Sequence, residues 1–377
     1  MERIHHVLRG DSPGKSIELN GFRFGDSDAP HKVYLQAALH ADEQPGILLL
    51  SHLIPLLQQA EDRGHLAATF VVFPMVNPVG MQNIEYGIHQ GRFDVASGVN
   101  FNRDWPDLYA AIGHDIGDHL GQCGETNTLQ IRQAIRNWLQ QQPAHDLSQR
   151  HRQLIMLEAC DADYVFDIHC DNEAIAYIFC SPHCADAMGS LAGWLGAGAV
   201  LTAEDSGGGS FDEIWTLPFS RAQQDFPGLP IDNPVVSCTL EMRGRYDVFD
   251  GVAERDSRAL MSFFQERGLV AEDPTGKPSP APAPTPLNAT ELLRVRQAGL
   301  LAYQVNLGDT VRKGEVVAEL LLLDGPDAFT RRIQITAGTS GRIISRSEYK
   351  YVWPGCCIAK IVCNEPLTSQ DGYLLSD

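Results

Sequence analysis

The chain has 377 residues, of which 44% are hydrophobic and 20% are charged, the balance of an ordinary globular protein. Its 48 acidic residues outnumber its 29 basic residues, which gives a formal net charge of −19. Such an acidic chain is a poor candidate for binding nucleic acid or an anionic membrane surface. In addition, no apolar run approaches the roughly 18 to 20 residues that would cross a bilayer.

The N-terminus and the cysteines bear on the cellular compartment. The opening residues, MERIHHVLRGDSPGKS, contain no apolar core of signal-peptide length. The nine cysteines are odd in number and scattered, which suits reduced thiols better than a disulfide framework. We therefore expect a cytoplasmic protein.

The first 271 residues alternate short apolar runs with helical patterns. In chain order they predict a strand at 33–39, a helix at 46–60, a strand at 68–76, a helix at 126–142, strands at 162–168, 174–180 and 233–242, and a helix at 258–270. This alternation predicts an α/β domain with a mixed central sheet flanked by helices. In such sheets, ligands bind beyond the carboxyl ends of the strands.

The composition changes after residue 271. Residues 272–290, EDPTGKPSPAPAPTPLNAT, are rich in Pro and Ala. Because Pro disfavours a helix and lacks an amide donor, we predict a semi-rigid extended linker here. Residues 291–377 then carry short β-type runs and turn signals such as LGDTVRKGE, which predict a small all-β domain.

Polar side chains follow two of the predicted strands. His40 and Glu43 lie in the turn LHADEQPG, and His169 directly follows the strand-like run ADYVFDI. Two neutral imidazoles and one carboxylate form a catalytic zinc set that leaves a fourth position for water. Asp167 could accept the second N–H of His169 or cap the adjacent turn. Each motif alone is also compatible with an ordinary solvated turn or a hydrogen-bonded histidine.

Two further polar stretches could carry chemistry. In NFNRDWP, Asn102 precedes Arg103, whose planar guanidinium suits a carboxylate or a developing oxyanion. Taken alone, the stretch favours a surface arginine paired with one of the many acidic residues. Glu241 ends another apolar run, where a carboxylate can accept a proton from water. The alternative for Glu241 is a salt bridge to Arg243 or Arg245.

As an ordered set, these stretches resemble the succinylglutamate desuccinylase/aspartoacylase family, a branch of the zinc carboxypeptidase fold. The resemblance covers most of residues 30–265, with Ala41 in place of the usual Gly of the first motif. The matching residues are His40, Asp42, Glu43, Pro45 and Gly46, then Asn77 and Pro78, then Asn100 to Pro106, then Asp167 to His169, and finally Glu241.

The resemblance implies one zinc ion per chain, bound by His40, Glu43 and His169. It implies that Glu241 acts first as general base and then as general acid. The reaction would be hydrolysis of a carbon–nitrogen amide bond other than a peptide bond.

The resemblance also implies residues that contact the substrate. Arg103 would polarise the scissile carbonyl or hold the substrate, with Asn102 beside it. Arg92 lies where relatives place a second arginine for a substrate carboxylate. Arg243 is a further candidate, and the sequence leaves open whether Arg92 or Arg243 makes this contact.

The tail resembles a carrier domain. Residues 307–320, LGDTVRKGEVVAEL, are similar to a hairpin of biotinyl and lipoyl domains, which have a barrel-sandwich-like fold. The following interval, LLLDGPDAFTRRIQITAGTSG, lacks the Lys that carries the prosthetic group in those domains. We therefore expect a tail that shapes the active-site entrance or an oligomer contact.

Three functions remain in competition at this point. The leading hypothesis is a zinc-dependent amidohydrolase, a deacylase of N-acyl amino acids or related small acylated amines. The alternatives are a zinc carboxypeptidase that acts on short peptides and a metal-binding or carrier protein without catalysis. The sequence does not identify the acyl group or the amine, and it leaves homo-oligomerisation open.

Overall fold

The fold is known from a computed structural model that describes residues 1–367, apart from the side chains at 114 and 115. The strands are β1 Glu2–Arg9, β2 Ser16–Phe24, β3 Lys32–Ala37, β4 Thr69–Phe73, β5 Ile84–Glu85, β6 Ile88–His89, β7 Tyr164–Asp171, β8 Glu173–Ala174, β9 Tyr177–Cys180, β10 Val200–Thr202, β11 Val236–Gly244, β12 Pro284–Pro286, β13 Thr290–Arg294, β14 Gly299–Tyr303, β15 Thr310–Val311, β16 Val316–Leu321, β17 Arg332–Thr336, β18 Gly341–Arg346, β19 Tyr351–Val352 and β20 Cys357–Val362. The α-helices are α1 Pro45–Asp62, α2 Leu108–Ile116, α3 Gly124–Gln141, α4 Leu147–Ala159, α5 Ala185–Leu195, α6 Glu213–Asp225 and α7 Asp250–Glu266.

A nine-stranded mixed sheet forms the body, with the strand order β1-β2-β4-β3-β7-β11-β9-β10-β12. Strand β3 is parallel to β4 and β7, and β11 is parallel to β7 and antiparallel to β9. The predicted α/β class with a mixed sheet flanked by helices is therefore confirmed. The antiparallel strands β1 and β2 at one edge are an addition that the sequence did not predict.

Both faces of the sheet are covered, because successive side chains of each central strand point to opposite faces. On β7, Phe166 packs into a core formed with α1, α5 and α7, where its ring centroid lies 6.2 Å from that of Phe263. Its neighbour Val165 packs into a second core with α2, α3, α4 and α6, which includes Ile135 and Phe219. This double burial explains why these strands read as continuous apolar runs.

The tail consists of two further sheets around a separate apolar core. Their strand orders are β13-β20-β18-β15 and β17-β16-β14-β19. The short strand β8 of the body pairs with β18, and Glu173 on β8 forms ion pairs with Arg346 and Lys350. These contacts attach the tail to the strand that follows β7. Residues 368–377 of the predicted β domain lie outside the described residues.

The Pro/Ala-rich segment contributes to the large sheet. Residues Pro284–Pro286 form β12, which pairs in parallel with β10. An edge strand tolerates proline because one side of its backbone needs no ladder hydrogen bond. Across residues 1–367, no helix combines the length and apolar character needed to cross a membrane.

Helix α1 lies unusually close to the sheet at Gly46, its second residue. A Cβ atom at this position would lie 2.9 Å from both Ala37 Cβ and Ile168 Cγ2. Such distances are shorter than a carbon–carbon contact, so only glycine allows this approach of α1 to β3 and β7.

We predict that Gly46→Ala lowers the free energy of unfolding by about 1–3 kcal/mol, because the added methyl group overpacks the core. Gly251→Ala is the matched control, since Gly251 is also the second residue of a helix and an added Cβ meets no atom within 4 Å. Urea unfolding followed by circular dichroism measures both variants. Equal stability of the two variants would contradict the packing argument.

Candidate active site

Three parallel strands place the predicted functional residues at one edge of the sheet. In the register of β7 and β11, His169 is directly opposite Glu241, and in that of β3 and β7, Gln36 is opposite Asp167. His40 follows the end of β3. Because the carboxyl ends of parallel strands meet at the same edge, distant segments of the chain converge here.

The turn after β3 directs His40 and Glu43 toward the same point. Ala38 has a positive φ of 58°, which turns the chain sharply at the end of the strand. The amide of Glu43 then donates to the carbonyl of His40 at 3.0 Å, and α1 begins with Pro45, a favoured first helical residue. The two side chains are 3% exposed each, so both functional groups are withdrawn from bulk solvent.

His40, Glu43 and His169 form a compact buried cluster. Glu43 Oε1 lies 2.9 Å from Nδ1 of His40, and Glu43 Oε2 lies 2.8 Å from Nδ1 of His169. One ligand atom from each of the three residues lies within 4.8 Å of the others. Two imidazole nitrogens and a carboxylate directed at one point fit a divalent metal ion.

The outer nitrogens of the two imidazoles are held by other polar groups. His40 Nε2 lies 2.7 Å from Oδ1 of Asn100, and His169 Nε2 lies 2.8 Å from Oδ2 of Asp167. The other oxygen of Asp167 accepts a hydrogen bond from Gln36. These partners orient the rings so that Nδ1 of each faces Glu43, the arrangement expected around metal-binding histidines.

Burial and neighbouring charges set the protonation of the cluster. Burial, followed by Arg92, lowers the pKa of His40, which favours the neutral imidazole that metals bind. Burial lowers the pKa of His169, but the carboxylates of Asp167 and Glu43 outweigh it and hold that pKa well above its ordinary value. For Glu43, burial raises the pKa, but the charges and hydrogen bonds of the two histidines outweigh burial and hold this pKa well below its usual range.

Glu241 lies beside this cluster and lines the same inner cavity, which has a volume of about 80 Å³. Burial first, and then the charges of Glu43 and Asp171, raise the pKa of Glu241 to about 8. Its Oε2 atom is buried without a hydrogen-bond partner among the described residues. The alternative salt bridge does not form, because Arg243 pairs with Asp256 and Arg245 pairs with Asp42 and Glu348.

Asn102 and Arg103 also line the inner cavity. Asn102 Oδ1 accepts hydrogen bonds from the indole of Trp105 and the amide of Phe211, and its Nδ2 lies 3.3 Å from His169 Nε2. The guanidinium of Arg103 donates to the carbonyl of Asn102 at 2.8 Å. The NFNRDWP stretch therefore reaches the cluster from the side opposite α1, and it carries a cation into the cavity.

The structure separates the two remaining arginine candidates. Arg92 lies at the cluster, where its Nη1 is 2.9 Å from Glu43 Oε1. Glycine at position 91 allows this approach of the chain, because a Cβ atom there would lie 2.3 Å from the amide nitrogen of Asp42. Arg243 is not part of the cavity, because its guanidinium binds Asp256 on α7. A bulge between Glu241 and Gly244, together with a φ of 70° at Arg243, turns this side chain away.

The site contains residues that sequence reasoning did not identify. Asn100 begins the NFNRDWP motif, but the motif alone does not indicate that its side chain contacts His40. Lys360, on β20 of the tail, lines the inner cavity and lies 2.7 Å from Asp171 and 3.3 Å from the hydroxyl of Tyr177. Leu287, which follows β12, lines it as well. Nothing in the local sequence distinguishes Lys360 from an ordinary strand residue, so only the tertiary fold could reveal it.

Comparisons with solved structures support the fold. A succinylglutamate desuccinylase/aspartoacylase family protein from Shewanella amazonensis SB2B is 22% identical, with a TM-score of 0.83 over 96% of this chain and 98% of that one. A similar protein from Shewanella frigidimarina NCIMB 400 is 21% identical, with a TM-score of 0.84 over 98% and 99%. The product-bound ectoine utilization protein EutE (DoeB) from Ruegeria pomeroyi is 15% identical, with a TM-score of 0.64 over 96% and 95%.

At these identities, the solved structures show the fold alone. No curated protein matches the chain in sequence. The sequence model of the succinylglutamate desuccinylase/aspartoacylase catalytic domain, however, matches residues 29–220, which include the buried cluster and the NFNRDWP stretch but not Glu241. Because this match covers half of the chain, the protein belongs to the succinylglutamate desuccinylase/aspartoacylase family of deacylases.

Proposed function

We propose that the protein is a zinc-dependent amidohydrolase that removes the acyl group from N-acyl amino acids or related small acylated amines. The observation that carries this proposal is the convergence of the His40–Glu43–His169 cluster with Glu241 and Arg103 on one small cavity. An N,N,O donor set with an open position is typical of catalytic zinc. A zinc ion bound there would act as a Lewis acid toward the amide carbonyl and a water molecule.

The residues of this chain carry the proton transfers and the charge stabilisation. Glu241 accepts a proton from the attacking water and then donates it to the amine nitrogen as the carbon–nitrogen bond breaks. A pKa of about 8 suits a carboxyl group that must both accept and release a proton near neutral pH. Arg103 stabilises negative charge on the carbonyl oxygen, and Arg92, beside Glu43, holds a carboxylate of the substrate.

The arrangement of the chain fits this function. We assign the hydrolase domain to residues 1–271, the linker to 272–290 and the small β domain to 291–377. The β domain brings Lys360 into the inner cavity and so takes part in enclosing the substrate. We further propose that each chain binds one zinc ion and that the protein is cytoplasmic.

Substitution of metal ligands and their partners tests the cofactor. We expect His169→Ala to abolish tight zinc binding and Asp167→Asn to weaken it by about 10- to 100-fold, because Asp167 orients the imidazole. His183→Ala, at a solvent-exposed histidine, is the control and should bind like the wild type. Competition with a chromogenic chelator measures the affinities. If His169→Ala binds zinc as tightly as the wild type, the site has been misassigned.

Removal of the metal tests whether the cofactor is needed for turnover. We expect a chelator-treated sample to lose hydrolysis of its N-acyl amino acid and to recover it on addition of zinc, because the ligand set holds the Lewis acid. Formyl-, acetyl-, succinyl- and aspartyl-type amides form the substrate panel, with short peptides for comparison. Full activity of the stripped protein would rule out this mechanism.

Substitution of the proposed base tests the proton transfers. We expect Glu241→Gln to lower kcat by about 10²- to 10⁴-fold while zinc binding is retained, since the amide cannot accept the proton. Glu18→Gln, at an exposed position of β2, is the control for loss of a carboxylate. Steady-state kinetics on zinc-loaded protein measures the effect. A kcat within a few-fold of the wild type would show that another group acts as the base.

A further inference from the structure

A second and larger cavity adjoins the candidate active site. This outer cleft has a volume of about 530 Å³, within the range of about 300–1,000 Å³ that is usual for ligand sites. It shares a border with the inner cavity, formed by Glu43, Arg92, Cys170, Asp171 and Lys360. The two spaces are therefore neighbours, and Glu43 of the buried cluster belongs to the lining of both.

The inner cavity is the smaller of the two spaces, with about 80 Å³ against about 530 Å³ for the outer cleft. The outer cleft therefore offers more room for the larger part of an extended substrate, while the scissile amide lies at the inner cavity.

Exposed aromatic side chains line part of the outer cleft. Phe93, which follows β6 in the body, is 41% exposed, while Tyr349 and Trp353 of the tail are 57% and 53% exposed. The ring centroids of Tyr349 and Trp353 lie 6.5 Å apart, so the two rings form one surface. Exposed aromatic surface beside a catalytic cavity indicates recognition of an apolar, flat group.

The charged residues of the cleft are engaged within the protein. Arg245 pairs with Asp42 at 3.1 Å and with Glu348 at 3.3 Å, and Arg346 pairs with Glu173 at 3.0 Å. Because each of these arginines already neutralises a carboxylate of the protein, it attracts a second anion less than a free guanidinium group would. The chemistry of the cleft therefore favours an aromatic group over a second carboxylate.

We infer that the outer cleft binds an aromatic group of the substrate against Trp353 and Tyr349, while the other end of the scissile amide occupies the inner cavity. This inference rests on the proposed function, and it defines the substrates as small acylated amines or amino acids that carry an aromatic ring. The tail is thus a specificity-determining part of the enzyme.

The test compares three substrates: N-acetyl-phenylalanine, N-benzoyl-alanine and N-acetyl-alanine. We expect the wild type to show a lower KM for at least one aromatic substrate than for N-acetyl-alanine. Trp353→Ala should raise that KM by roughly three- to tenfold, as expected for the loss of one aromatic contact. The KM for N-acetyl-alanine and the kcat values should stay unchanged.

Tyr351→Ala is the matched control, because Tyr351 is a tail aromatic with 57% exposure that does not line either cavity. It should behave like the wild type on all three substrates. The inference is overturned if the wild type has no aromatic preference, if Trp353→Ala matches the control, or if it weakens all substrates equally.

Two further measurements separate this inference from its alternatives. Calorimetric binding of N-acetyl-phenylalanine and N-acetyl-alanine to zinc-loaded Glu241→Gln gives the aromatic preference without turnover. Absent turnover in the wild type then contradicts the proposed function, whereas equal affinities contradict the cleft inference. If Trp353→Ala instead dissociates an oligomer in sedimentation velocity without changing the KM ratio, the aromatic surface binds a second copy of the chain, and the inference is wrong.

Discussion

The contact on which the site depends is the Glu43 carboxylate between two imidazoles. Its two oxygens face Nδ1 of His40 and Nδ1 of His169 in a region with almost no solvent access. A carboxylate so deeply buried is stable only with positive or donor groups around it. Asn100 and Asp167 lie beside the outer nitrogens of the rings and orient both imidazoles toward Glu43.

The parallel register of β3, β7 and β11 is the constraint behind that contact. It brings residues that are distant in the chain to one level of the sheet, where Gln36 is opposite Asp167 and His169 is opposite Glu241. This part of the fold could be predicted, because double burial makes the central strands strongly apolar and polar residues mark where they end. That His40, Glu43 and His169 form one cluster could be predicted for the same reason, together with the ordered set of family motifs.

Other features depend on tertiary contacts that leave no local signal. Alternation along β11 would direct Arg243 to the same side as Glu241, but a bulge and the partner Asp256 redirect it. The composition of the proline-rich segment predicts an independent spacer. In the structure, however, its residues Pro284–Pro286 pair with β10 at the edge of the large sheet. Lys360 reaches the cavity only because the tail docks against β8.

The ammonium group of Lys360 links the tail to the body electrostatically. It neutralises Asp171, which lies two residues beyond His169 of the buried cluster, and burial would otherwise penalise that charge. A chain without the tail would lose this cation beside the His40–Glu43–His169 cluster. Another module in place of the tail would keep the charge balance only if it supplied a cation at the same position.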